Sequence, residues 1–161
     1  MKKISLKVMA AMVVFSMIGL QAKTYPNNPA GVKVTIPDSW QVSGDAMSLH
    51  AQTKDGSVGL SFVVMDSGSL DAAMDALDAE LNKIITDFEV DEEAEQITIN
   101  GMSAVSIDGH GIIEGEEAHV GLMLIQSPTG KIVMVLGAVA AASWSKHEPA
   151  IIKIFQSIKP L

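Results

Sequence analysis

Apolar residues along the chain keep two different periods, and the switches between them mark out strands and helices. Residues 32–36 alternate apolar and polar side chains and predict a short strand that Pro37 stops. Asp38-Ser39-Trp40 then reads as a turn that returns an aromatic ring to the core. Residues 46–53 and 57–65 predict two more strands. Lys54-Asp55-Gly56 joins them, since Asp-Gly supplies the positive φ angles a tight hairpin needs. Over residues 70–85 the apolar positions are Leu70, Ala73, Met74, Leu77, Leu81 and Ile84, spacings of three and four that share one face of a helix. Ser69 is placed to cap it, and Asp71 lies where the helix dipole favours an acid. The strand pattern returns at residues 96–99, 103–113, 116–126 and 131–139, with turns at Asn100-Gly101, Glu114-Gly115 and Ser127 to Gly130. A last helix is predicted over residues 146–158. Ser145 and Glu148 have capping-box spacing, Pro149 falls in the first turn, and Ile151, Ile154, Phe155 and Ile158 form the buried stripe.

The order β-β-β-α-β-β-β-β-α, with tight hairpin turns, predicts an α+β fold. It is a mostly antiparallel β-sheet flanked by helices, an α/β/α sandwich. Before it, residues 23–31 (two prolines, two asparagines, a glycine) read as an irregular lead-in to a single domain over residues 32–161. Residues 1–22 read as a signal peptide. Lys2, Lys3 and Lys7 make its basic region, residues 8–20 its apolar run, and Ala22 its small terminal residue. The run is shorter than the roughly 20 apolar residues of a membrane-spanning helix. The expectation is a periplasmic or secreted protein, cleaved near Ala22, with no stable membrane insertion afterwards.

Composition narrows the function classes. The chain has 161 residues, 48% apolar and 19% charged, which fits a folded globular protein. It has no cysteine, so a disulfide scaffold, a thiol nucleophile and a thiolate zinc site are excluded. All 11 basic residues are lysine. Without residues 1–22, eight lysines face 19 acids, a formal charge of −11. An acidic chain without arginine does not fit nucleic-acid binding, where basic patches and the guanidinium fork dominate.

Three segments resemble the PsbP-like superfamily: Ile36-Pro37-Asp38-Ser39-Trp40, the Ile99-Asn100-Gly101 hairpin before a long strand, and the closing helix Ile151-Ile152-Lys153-Ile154-Phe155-Gln156-Ser157-Ile158-Lys159. That superfamily includes photosystem II extrinsic proteins, a Ran-binding import factor and exported bacterial DcrB-like proteins. The resemblance covers residues 30–161 and implies an antiparallel sheet between helices, used as a binding or assembly module. It implies no catalytic residue, because the superfamily shares none.

If Glu114-Gly115 is a two-residue turn, His110 faces His119 across the hairpin at a Cβ separation of about 4.5–5.5 Å. Asp108 and Glu117 then share that face. Two imidazoles and a carboxylate are a ligand set for a divalent cation such as zinc or copper. The plainer reading is a wet sheet face. A three-residue loop would instead place the histidines on opposite faces. Residues 87–95 hold six acids, yet Glu92 stands where a calcium loop needs glycine, so a solvated acidic connection is expected. Gly109-His110-Gly111 lies inside a strand, which predicts a bend or close packing against a helix and not a phosphate loop. His147-Glu148 lacks the second histidine of a zinc-protease motif, since Ile151 stands there. No spacing nominates a serine triad, and Trp40 and Trp144 read as structural plugs.

The expectation is therefore an exported, non-enzymatic binding or assembly module with a protein partner and no cofactor. The alternatives are a divalent-metal protein using the His110/His119 face, and a small-molecule or lipid carrier with an apolar pocket between sheet and helix. Val13→Asp puts a charge into the apolar run of the signal segment. It should abolish export and processing, read by fractionation and the size of the accumulated chain; normal processing of the variant would refute the signal peptide.

Overall fold

The computed structural model describes residues 21–161, so the signal segment lies outside the described residues except for Gln21 and Ala22. Two sheets and two helices make three layers. The large sheet has eight antiparallel strands in the order β3 (Gln41–Gly44), β4 (Ser48–Gln52), β5 (Val58–Met65), β10 (Ile132–Ala140), β9 (Glu116–Gln126), β8 (Met102–Ile113), β6 (Thr86–Val90), and β7 (Glu95–Ile99) also pairs with β8. The small sheet is β1 (Ala22–Asn27), β2 (Val32–Pro37) and β11 (Lys159–Pro160), with β2 in the middle.

Helix α1 (Leu70–Leu81) covers one face of the large sheet, with Ala73, Leu77 and Leu81 on Ile107, Leu122 and Leu124. The other face carries β2 and helix α2 (Trp144–Gln156). Val34, Ile36, Ile154 and Ile158 pack there with Phe62, Ile125 and Val135. Both helices thus flank the sheet as expected, and the small sheet extends the α2 layer. Ser69 caps α1 by accepting the Ala72 N–H at 3.2 Å. Phe155 of α2 rests on the paired Gly121 and Gly137, which have no Cβ to exclude its ring.

The three segments behind the PsbP-like resemblance are joints of this fold. Asn100 holds a φ of 45° in the β7–β8 turn. Its side-chain amide donates to the carbonyls of Gln156 and Ile158, at 2.9 and 2.6 Å, capping the end of α2. Ser157 accepts the Thr35 N–H at 2.9 Å, tying α2 to β2. Trp40 leaves the turn after Pro37 and packs into the core.

Several elements differ from the sequence expectation. Residues 23–31 are not an irregular lead-in: β1 pairs with β2 from Ala22↔Pro37 to Asn27↔Val32, and only the turn to Gly31 is irregular. Pro26 is tolerated because β1 is an edge strand. Helix α1 stops at Leu81, short of residue 85, so Ile84 points to solvent. Part of the acidic stretch is strand: β6 pairs with β8 through an irregular register in which Asp87 takes a φ of 52°. Helix α2 begins at Trp144 behind a 3-10 turn (Ala141–Ser143), and no side chain caps it, so the Ser145/Glu148 capping box does not form. The earlier start places Pro149 inside the helix, where its ring nitrogen has no hydrogen for the preceding turn.

Phe155→Ala removes the ring that joins α2 to the β9–β10 glycines and packs on the cluster of Val58, Val139 and Ile151. It should lower stability by about 3 kcal/mol, measured by chemical denaturation; an unchanged midpoint would mean that α2 is not held by this contact.

Candidate functional site

The β8–β9 hairpin closes on a two-residue turn in which Glu114 and Gly115 have φ of 53° and 87°. Both are positive, as a type I′ turn requires. The register follows: Ile113 pairs with Glu116, Ile112 with Glu117, His110 with His119 and Asp108 with Gly121. The four residues singled out from the sequence are thus on one face of the hairpin.

They do not meet as one ligand cluster. His110 turns to the neighbouring strand. Its Nδ1 contacts Asp91 Oδ1 at 2.6 Å and its Nε2 lies 3.4 Å from Glu89 Oε2. His119 turns the other way and stacks on Trp144 of α2 with ring centroids 5.2 Å apart. His110, His119, Glu89 and Glu117 line one cavity of about 340 Å³, while Asp108 lines a second, of about 410 Å³, with Glu92, Glu93 and Glu95. Among the described residues, no group of three or more His, Cys, Asp or Glu side chains is arranged to hold a metal ion.

The electrostatics follow from these neighbours. The Asp91 hydrogen bond and charge, with Glu89 and Glu117 beyond, raise the His110 pKa above its ordinary value. Partial burial of the Asp108 carboxyl, and then the charges of Glu92, Asp91 and Glu95, raise its pKa too. Glu89 and Asp91 were hidden in the acidic stretch. The available signal was Phe88 and Val90 alternating with acids, the pattern of an edge strand. The glycines beside His110 serve that strand and not a helix. A Cβ on Gly109 would strike the Glu89 carbonyl and the Phe88 ring, and one on Gly111 would strike Ile85.

A second constellation joins the β4–β5 turn to α2. Ser57 Oγ donates to Asp55 Oδ1 at 2.7 Å and lies 3.1 Å from His147 Nε2; Thr53 Oγ1 also donates to Asp55, at 2.6 Å. In a hydrolytic triad the carboxylate orients the histidine while the histidine receives the serine proton. Here Asp55 bonds the serine itself, and among the described residues no carboxylate pairs with His147 to orient it, so the triad arrangement is not formed. These bonds, with Lys146 at 3.8 Å, hold the Asp55 pKa far below the usual carboxylate range. The group ties a turn to a helix. It escaped the sequence reading because Ser57 and His147 are 90 residues apart.

Neither a protein-family model nor a curated protein sequence matches the chain. Solved structures do. Cyanobacterial PsbP (CyanoP) from Synechocystis sp. PCC 6803 superposes with a TM-score of 0.66 at 10% identity, over 88% of this chain and 94% of that one. The Ran-binding protein Mog1p of Saccharomyces cerevisiae gives 0.56 at 9%, over 86% and 95%. LpqN, involved in cell envelope biogenesis of Mycobacterium tuberculosis, gives 0.54 at 15%, over 86% and 90%. The chain has the PsbP-like fold, an α+β sandwich of mostly antiparallel sheet.

The raised His110 pKa has a defined linkage. The charged pair with Asp91 favours the folded state below the unfolded histidine pKa of about 6.5, and that contribution is lost as pH rises through the higher folded value. NMR titration should place the His110 midpoint above that of a free histidine, and Asp91→Asn should bring it back toward about 6.5. An unmoved midpoint in the variant would show that Asp91 is not its partner.

Proposed function

We propose that this protein is an exported, non-enzymatic binding or assembly module of the PsbP-like type whose ligand is a protein partner. The observation that carries the reading is the fold, shared with Mog1p, a Ran-binding protein, and with LpqN, involved in cell envelope biogenesis. The arrangement at Ser57 supports the non-enzymatic part, since Asp55 bonds Ser57 and leaves His147 without an orienting carboxylate. Export rests on the signal segment, and no helix among the described residues is long and apolar enough to cross a membrane.

A second reading is a divalent cation at the His110/His119 face, favoured by the direct pairing of the two residues across the hairpin. It requires His110 to leave Asp91 and His119 to leave Trp144, so the binding-module reading is preferred. Cross-linking in intact cells, followed by sizing, should place the processed chain in a complex well above its monomer mass. Purified protein should show background turnover of generic esters and peptides and no calorimetric heat with zinc. A strictly monomeric chain, or turnover abolished by Ser57→Ala, would overturn the proposal; zinc binding abolished by His110→Ala with His119→Ala would establish the second reading.

A further inference from the structure

Helix α1 covers only part of its side of the large sheet. It packs over β8, β9 and the first half of β10 and ends at Leu81. Past that end the sheet is floored by small residues, Gly59 on β5, Ala138 on β10 and Ala118 on β9. Two cavities of about 460 and 400 Å³ share Gly59, Ile113 and Ala138, so they form one groove running across the strands.

The groove changes character along its length. Its middle is aliphatic, with Ile84, Ile113 and Leu136 around the small-residue floor. Ile84 is 53% exposed, an aliphatic side chain that the fold leaves uncovered beside its own core. One end is polar and carries His50 with Gln41 and Gln52. There Gln52 donates to Gln41 at 3.0 Å, leaving the Gln41 amide N–H and the Gln52 carbonyl available. The other end is lined by Glu114, Glu116 and Glu117. None of these three carboxylates is in an ion pair among the described residues, and no lysine lines either cavity.

We propose that this groove docks an extended segment of a partner protein in which aliphatic side chains are followed by lysine or arginine. The proposal rests on the binding-module reading and specifies the partner's chemistry. Aliphatic side chains laid over Gly59 and Ala138 would cover Ile84 and Ile113, removing apolar surface from water on both partners. The basic residue beyond them meets the carboxylates of Glu114 and Glu116, with Glu117 at the rim. In a domain with a formal charge of −11 the same field repels acidic segments, which gives orientation and selectivity. The glutamine pair accepts and donates to the segment's backbone without selecting its sequence.

The test uses a short synthetic peptide of leucines followed by lysines, titrated into isotope-labelled protein by NMR, with glutamates replacing the lysines as the control. Amide shifts should concentrate at Gly59, Ser61, Ile113, Glu116 and Ala138, and the control peptide should not bind. Glu114→Lys with Glu116→Lys should weaken binding by about tenfold, and added salt should weaken wild-type binding. Ala138→Phe should fill the floor and block the peptide; should that variant not fold, the charge-reversed one still decides. Equal binding of the two peptides, unchanged affinity in the charge-reversed variant, shifts elsewhere, or no binding overturns the proposal. The cellular cross-linking separates the two failures: a complex that persists in the charge-reversed variant refutes the groove alone, whereas no complex in the wild type refutes the module.

Discussion

The architecture depends on the central pair of strands being apolar on both faces. Residues Leu122 to Ile125 of β9 and Ile132 to Leu136 of β10 are all buried. A strand offers alternate residues to opposite faces, so such runs need cover on both sides of the sheet. One short amphipathic helix, α1, covers most of the central pair on one side. The other side is longer than α2 can cover alone, and the small sheet completes it: β2 lays Val32, Val34 and Ile36 beside Ile154 and Ile158. The small sheet is thus part of what keeps the central pair out of water.

Two polar contacts hold that second layer in register. The Asn100 side chain, fixed in a turn on the large sheet, receives the end of α2, and Ser157 passes the connection to β2. Each bonds a main-chain group that the helix or strand cannot satisfy by itself. The Leu161 N–H bonds the Gly31 carbonyl at 3.0 Å, so the chain terminus closes against the turn that opens β2. The residues that resembled a family are therefore those that lock sheet, helix and small sheet together. That is why they report a fold and no chemistry.

What the sequence made legible was local. The β8–β9 register needed only the Glu114-Gly115 turn and alternation, and the α1 face and its Ser69 cap needed only spacing. The elements that were missed obey distant constraints. Strand β1 exists because β2 offers a partner, which outweighs Pro26 and Asn27 within it and Asn28-Pro29 after it. Strand β3 is four residues, of which only Val42 is apolar, recruited by β4. Strand β6 is shaped by Gly109 and Gly111, about twenty residues onward, whose missing side chains admit its backbone. The candidate site divides the same way: the His110–His119 pairing follows from the hairpin alone, whereas Glu89 and Asp91 arrive with β6 and redirect His110 away from His119.

The acids also have a structural role that sets the terms for any binding role. Strands β6 and β7 end the large sheet on one side, and an open edge invites pairing with another chain. Glu89, Asp91, Glu92, Glu93 and Glu95 charge that edge, and the irregular β6 register twists it, both of which discourage addition of a strand. Those carboxylates have an explanation within the fold, and His110 partly neutralises them. Glu114, Glu116 and Glu117 protect no sheet edge: they surround a tight turn whose φ angles need glycine and no particular charge. Protecting the fold therefore accounts for the acids that follow and flank β6 and β7 and leaves those of the β8–β9 turn without a structural role, which is the charge on which the proposed docking rests.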